Sequence, residues 1–216
     1  MNVPITKRFA VLITPLLLTA CFSFGGDREK QTVDSQQPRF YVLDVDRGSV
    51  SHQQAIDRIV YLTDISVSPQ FAGSSLMMRV GDTEYAAQTG HEFIVDPQTM
   101  LTSQLERWLQ KTGLFSRVIR QRNDAADMVM DVTLTALYGE QRSQYSPEAV
   151  IEMQFFLSSN TESARRLLFQ TGFRVEVDIE ESTPGKTVTG LQHGLEEILV
   201  ALEQDLSDYF SRVDAP

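Results

Sequence analysis

Three long stretches of alternating apolar and polar residues constrain the fold more than any other feature of this chain. In the clearest, every second residue from Phe173 to Ile179 is apolar and the residues between are charged. Such alternation predicts strands with one buried and one solvated face, as in an antiparallel sheet. The positions expected to share the buried face are Met128, Met130, Val132, Leu134 and Ala136, then Ile151, Met153, Phe155 and Leu157, then Phe173, Val175, Val177 and Ile179.

Two other segments repeat apolar residues at helical spacing. The first begins at Asp96-Pro97, because aspartate caps free N–H groups and proline suits a first turn, and it ends at Gly113. The second runs from about Thr189 to Phe210, after a break at residues 183–185. The predicted buried stripes are Met100, Leu101, Leu105, Trp108 and Leu109, then Leu191, Leu195, Ile198, Leu199, Leu202, Leu206 and Phe210.

Shorter strand-like segments complete the pattern. They lie at residues 39–44, 59–67 and 75–80, with a hairpin arm at 84–87 and a short strand at 115–119. Strands, a helix, more strands and a final helix define the α+β class. We predict a mostly antiparallel sheet with two main helices packed on one face, in the condensed order β-β-α-β-β-β-β-α.

The N-terminus has the pattern of a bacterial lipoprotein signal. Lys7 and Arg8 precede an apolar run at residues 9–18, which is shorter than the roughly 20 residues that a transmembrane helix needs. Small residues then precede a cysteine, whose thiol would accept a diacylglycerol after cleavage. We predict a signal peptide at 1–20 and lipid on the cysteine. The tetrapeptide of this lipobox is Leu18, Thr19, Ala20 and Cys21.

Two other interpretations of this segment stay open: Cys21 could be an ordinary buried cysteine, or it could follow a plain secretory signal by chance. Since Cys21 is the only cysteine, a disulfide within the chain is excluded and a cysteine-based metal site is not supported. Residues 22–38 lack an apolar period, so we predict a tether at 21–38 and a single α+β domain at 39–212.

The charge of the chain excludes some classes of partner. Removal of Lys7 and Arg8 with the signal peptide changes the formal net charge from −10 to −12. Such a chain repels phosphate backbones and anionic headgroups. We therefore expect no nucleic-acid binding, and we expect lipid rather than a basic patch to hold the protein on a membrane.

Residues that could carry catalysis are scattered. His52, His91 and His193 are far apart in sequence, and they are typical of surface histidines. No hydrolase, nucleotide-binding or zinc-protease motif occurs. The many carboxylates fall on the outer faces of strands or on the last helix. We expect no enzyme activity, no metal and no cofactor.

Two apolar clusters are candidates for a surface that contacts lipid or a partner protein. Leu76, Met77 and Met78 place large groups on both faces of one strand, and Phe156 is out of phase with the buried residues around it. Methionine and phenylalanine surfaces adapt to lipids or partner proteins. The alternative is that the core buries them.

Taken in order, these segments resemble the ABC-type transport auxiliary lipoproteins, the PqiC-like family. The resemblance covers most of residues 39–210. Many members of that family carry a tryptophan-containing acidic-proline segment before the first helix, and this chain keeps only its acidic-proline part, Asp96-Pro97. Besides the lipobox, it is carried by Tyr41-Val42-Leu43-Asp44, by residues 64–71 and 76–80, by the helix with Trp108, by residues 113–118 and by the alternating strands.

The resemblance implies a non-enzymatic periplasmic component of transporters that pair ABC subunits with MCE-domain proteins and move lipid between membranes. Phe22 follows Cys21 where an aspartate would favour the inner membrane, which implies the outer membrane. Alternatives are a lipoprotein that assembles an outer-membrane or secretion complex and, less favoured, an envelope hydrolase. The oligomeric state is left open, because exposed strand edges or an exposed Phe156 would allow copies of the chain to associate as homo-oligomers.

Overall fold

A computed structural model describes residues 37–49, 58–121, 125–160 and 165–215. The described residues form one compact unit. The predicted signal peptide, the lipobox with Cys21, nearly all of the tether and His52 lie outside the described residues.

The described chain contains nine strands, two α-helices and one turn of 3₁₀ helix. They are β1 (Arg39–Tyr41), β2 (Ile59–Leu62), β3 (Ser66–Val67), the 3₁₀ turn (Pro69–Phe71), β4 (Ser75–Arg79), β5 (Tyr85–Phe93), α1 (Pro97–Thr112), β6 (Arg117–Ile119), β7 (Met128–Glu140), β8 (Glu148–Ser159), β9 (Leu167–Asp178) and α2 (Pro184–Val213).

The three long strands form the predicted antiparallel meander. β7, β8 and β9 have 13, 12 and 12 residues, and they pair along almost their whole length. One face of this meander packs under α2, whereas the other faces away from both helices. We call these the inner face and the outer face.

Short strands join the free side of β7 in a mixed pattern. β2, β3 and β4 pair with β7 in parallel at successive points along it, β6 pairs with β2 in parallel, and β1 pairs with β5 in parallel. The class is α+β as predicted, and the element order roughly matches. Five strands precede α1, since the early segments divide into more pieces than their apolar patterns indicate.

A β-bulge in β7 changes which residues face inward. The register shifts between Leu134 and Ala136, and beyond it Ala136 lies opposite Glu152 while Leu137 lies opposite Ile151. Residues directly opposite each other in an antiparallel pair share a face. The prediction that Ala136 continues the inner face is therefore wrong, because the bulge gives that place to Leu137.

The helices begin and end through recognisable caps. The side chain of Asp96 accepts a hydrogen bond from the Thr99 N–H at 2.9 Å, and Gly113 ends α1 with a φ of 72°. α2 starts at Pro184, earlier than predicted, because that proline occupies the first turn instead of breaking the helix. Both helices contribute to one continuous core with the inner face.

Glycines bring α2 close to the inner face. A Cβ on Gly190 would lie 2.5 Å from the Ala149 Cβ, and one on Gly194 would lie 2.7 Å from Ile151. These distances are shorter than real Cβ contacts. The inner face and α2 therefore pack without a gap, and no space for a ligand is left between them at these positions.

Candidate interaction surface

The outer face of β8 and β9 carries an open polar groove of about 520 Å³. Gly172 lies opposite Gln154 and has no side chain, which makes a notch in the row of side chains. Gln170 and Arg174 flank the notch along β9. A glycine in a strand interior often marks a place where a ligand or another backbone approaches the strand closely. We call this feature the Gly172 groove.

Ion pairs order one end of the groove. Arg174 donates hydrogen bonds to Glu176 at 2.7 Å, to Glu152 at 3.0 Å and to the Tyr138 hydroxyl at 3.1 Å. Burial alone would lower the pKa of Arg174, but these hydrogen bonds raise it above its usual range. The guanidinium is thus a fixed positive charge with carboxylate partners on both sides.

The four residues predicted as a lipid or partner surface do not form one patch. Leu76 and Met78 are fully buried, because alternate residues of β4 point into the core beside β7. Met77 and Phe156 are half-buried and lie toward opposite ends of β7. Of the four, Phe156 adjoins the Gly172 groove, since it pairs with Gln170.

Beyond the bulge, the outer face is closed by aromatic rings and a buried ion pair. Tyr138 stacks on Phe71 with centroids 6.1 Å apart and meets the edge of Tyr85 at 5.4 Å. Glu140 accepts hydrogen bonds from Arg142 at 2.8 and 3.0 Å, and both side chains are buried. Burial would raise the pKa of Glu140, but the Arg142 hydrogen bonds outweigh it and lower the pKa.

An acidic cluster occupies the rim of the same face. Glu148 lies directly opposite Asp178 in the β8–β9 ladder, and Glu176 is the next residue on that face. Burial, together with the charges of Glu176 and Asp178, raises the pKa of Glu148. The cluster sits at the end of the strands, and no histidine is among the groups that perturb it.

A second concave surface lies on the exposed side of α2. It has a volume of about 620 Å³ and is lined by His193, Val200 and neighbouring residues of the same helix. Beside it, the Glu203 carboxylate accepts hydrogen bonds from the Arg47 Nε at 2.5 Å and from the Trp108 Nε1 at 3.0 Å. This contact ties the segment after β1 to both helices.

The described histidines do not assemble a catalytic site. His91 lies within β5 rather than in a loop, and its Nδ1 is 2.8 Å from the Tyr41 hydroxyl. His193 is exposed on α2. Within the described ranges no group of three or more His, Cys, Asp or Glu residues could hold a metal ion. Nor is any helix there long and apolar enough to cross a membrane.

Sequence reasoning missed most of the groove. It placed Arg174 and Glu176 on a solvated face, but it did not single out Gly172, Gln154 or Gln170. The signal was weak, because the predicted strand begins at Phe173, and only the longer strand β9 in the structure places Gly172 within a strand. Recognising the notch still required the register that places Gly172 opposite Gln154.

The fold and its surfaces define an α+β domain with an open polar groove on one face of its sheet. A family model for the ABC-type transport auxiliary lipoprotein component matches residues 41–202. The chain therefore belongs to this family, as the resemblance in its sequence predicted. Membership of a lipoprotein family involved in transport is consistent with a membrane-anchored periplasmic protein and favours a non-enzymatic role.

Solved structures share the fold at low sequence identity. Protein XCC0632 from Xanthomonas campestris, described by the family label DUF330, is 15% identical with a TM-score of 0.62, over 77% of this chain and 90% of its own. An uncharacterized protein is 16% identical with a TM-score of 0.55, over 72% of this chain and 97% of its own. No curated protein matches the chain significantly.

Proposed function

We propose that this protein is a lipid-anchored accessory component of an ABC transporter that works with an MCE-domain protein to move lipid between the inner and outer membranes. Lipid on Cys21 would hold the domain on the periplasmic face of the outer membrane, and the transporter subunits would supply energy from ATP. The protein itself acts as a docking domain and carries out no chemistry.

The open outer face is the observation that carries this proposal. Three long strands present a polar groove of about 520 Å³ whose charged end is fixed by the Arg174 ion pairs. Satisfied ion pairs and amide side chains make a surface that recognises a partner by polar complementarity rather than by bulk hydrophobicity. The half-buried ring of Phe156 supplies an apolar contact beside it.

Co-purification with a groove-filling variant tests the proposal. A Cβ on Gly172 would make only ordinary van der Waals contact, 3.4 Å from Gln154, so Gly172→Gln fills the notch without disturbing the core. Gly185→Gln is the matched control, because a Cβ added there would meet no other part of the fold within 4 Å. The full-length chain is recovered from envelopes in mild detergent, and its associated proteins and lipids are identified by mass spectrometry.

We expect an MCE-domain protein and an ABC transporter subunit with the wild type and with Gly185→Gln, and a clear loss of both with Gly172→Gln. Recovery of only outer-membrane barrels or secretion proteins would favour the assembly function instead. Equal recovery of the two transporter proteins with both variants would show that the docking site lies outside the groove.

The role of the anchor is tested separately in cells. Cys21→Ala removes the thiol that would carry the lipid, and we expect it to abolish the outer-membrane barrier function that the wild-type copy restores in a strain lacking it. An intact barrier with the unanchored protein in the soluble periplasmic fraction would contradict the docking role.

A further inference from the structure

Exposed apolar side chains concentrate beside the point where the folded domain begins. Phe40 and Val42 are 60% and 49% exposed, and Ile94 and Val95 are 65% and 40% exposed. They account for half of the large hydrophobic residues that are exposed in the described part of the chain. We call these four residues the β1 patch.

Backbone pairing assembles the β1 patch from two distant segments. β1 pairs with β5 in parallel, and the Ile94 N–H continues the ladder with a 2.8 Å hydrogen bond to the Tyr41 carbonyl. Val42 directly follows β1, and the alternation of exposed and buried residues that continues to Val45 places it on the same side as Phe40. Ile94 follows Phe93, whose side chain is buried and holds the segment in place.

The patch is presented rigidly. Ile94 and Val95 form the short connection between β5 and α1, and Asp96 closes it by capping the helix with bonds to the Thr99 N–H and hydroxyl at 2.9 Å each. Because the backbone on both sides is hydrogen-bonded, the apolar groups would lose little conformational freedom on binding.

We infer that the β1 patch rests on the surface of the bilayer that carries the lipid on Cys21, and so fixes the orientation of the domain on the membrane. The inference rests on the lipid anchoring of the proposed function. Residues 22–38 connect Cys21 to Arg39, and even fully extended they reach at most about 60 Å. Only Arg39 separates the end of that segment from the β1 patch.

The anchor makes a small patch sufficient. Tethering sites at such a distance gives effective concentrations on the order of millimolar, so a weak surface affinity is enough. Four partly exposed side chains fall well short of the roughly 800 Å² that each partner contributes to a stable protein interface. With a net charge of −12 after cleavage, apolar contact rather than headgroup attraction must provide the affinity.

The charges around the patch limit how deep it enters. Glu92 lies opposite Phe40 in the β1–β5 ladder, and Arg39 precedes Phe40. A carboxylate within the hydrocarbon is costly, so contact occurs at the level of the headgroups. The strand path runs from β1 through β5, β4, β7 and β8 to β9. A domain that rests on β1 therefore turns the Gly172 groove away from the membrane, towards a partner.

Tryptophan quenching by brominated lipid tests this orientation. Cys21, the single cysteine, of the chain 21–216 is coupled to a maleimide lipid in neutral phosphatidylcholine vesicles, with and without bromine on the acyl chains. The probe is Ile94→Trp, and the control is Leu167→Trp, which is 53% exposed on the opposite edge of the sheet. The buried Trp108 contributes the same background to both and reports correct folding.

We expect Ile94→Trp to shift to shorter wavelength on vesicles and to lose intensity with brominated lipid, while Leu167→Trp changes in neither respect. Adding Phe40→Asp to Ile94→Trp, at an exposed position that the fold tolerates, abolishes the quenching. Equal intensity of Ile94→Trp in both kinds of vesicle overturns the inference, and so does equal quenching of Leu167→Trp. Because the lipid is attached chemically, neither result depends on processing in cells or on a transport partner.

A response of Ile94→Trp to a protein instead of to lipid is also decisive. If its emission shifts only when a transporter subunit is added to the vesicles, the β1 patch is a protein interface and the membrane contact is refuted. In that case the proposed transport function would be supported while this inference fails.

Discussion

The two faces of the β7–β8–β9 meander have the same backbone and opposite chemistry. On the inner face, Phe155 and Ile151 are fully buried, and Gly194 lets the backbone of α2 approach Ile151 closely. On the outer face, Arg174 and Glu152 form an ion pair beside an open groove. The inner face is built for stability, whereas the outer face keeps polar groups in a fixed arrangement that adds little stability of its own.

The sharpest way to test this contrast uses two adjacent phenylalanines. Phe155→Ala opens a cavity in the core and is expected to lower the free energy of unfolding by about 3–5 kcal/mol. Phe156→Ala, one residue later on the outer face, is expected to lower it by about 1 kcal/mol or less. Chemical denaturation of both variants measures the difference, and similar losses would show that the outer face is equally packed.

The buried ion pair beyond the bulge is the exception on the outer side. Arg142→Met leaves Glu140 buried without its partner, so we expect a clear loss of thermal stability. The double variant Arg142→Met with Glu140→Leu removes both charges and is expected to recover most of that loss. Thermal unfolding followed by circular dichroism distinguishes them, and a double variant no better than the single one would refute the pairing argument.

Glycine substitutions in α2 test how closely the helix approaches the inner face. Gly190→Ala places a Cβ against Ala149 and Ile179, and we expect the strain to cost about 1–3 kcal/mol despite the better helix propensity of alanine. Gly185→Ala meets no atom within 4 Å and is expected to be neutral or to stabilise by about 0.5–1 kcal/mol. Urea unfolding of both compares them, and a stabilising Gly190→Ala would contradict the close packing.

The smallest expected effect on stability comes from Glu148, in the acidic cluster at the rim of the outer face. Its surroundings raise the pKa of Glu148, so the folded state binds this proton more tightly than the unfolded chain does. Ionised Glu148 therefore costs stability at neutral pH. The cost decreases as the pH falls through the raised pKa, and it is gone below the ordinary glutamate value of 4.5.

Glu148→Gln should consequently raise the melting temperature slightly at pH 7 and leave it unchanged near pH 4. Glu181→Gln, an exposed glutamate in the loop before α2, serves as the control and should change little at either pH. A gain for Glu148→Gln that is the same at both pH values would show that the ionised Glu148 carboxylate is not the cause of the gain.

The comparison also explains why sequence reasoning succeeded on one face and not on the other. Apolar residues at every second position indicate the side that faces the core, so the pattern alone predicts that the buried Phe155 and the half-buried Val175 belong to the inner face. The outer face looks like any solvated face, and the function of a polar surface depends on which strands lie side by side. The Gly172 groove combines residues of two strands, and the β1 patch combines the β1 segment with the connection that follows β5. Neither pairing is encoded locally.

The sequence by itself determined the α+β class, the three long strands, the Asp96 and Gly113 caps of α1 and the family. All of these follow from local periodicity, capping chemistry and the order of segments along the chain. Only the tertiary structure decided the bulge that turns Ala136 outward, the burial of Leu76 and Met78, and the parallel pairing of the short strands. These features depend on contacts between residues far apart in sequence, and local patterns carry no record of which partner each segment meets.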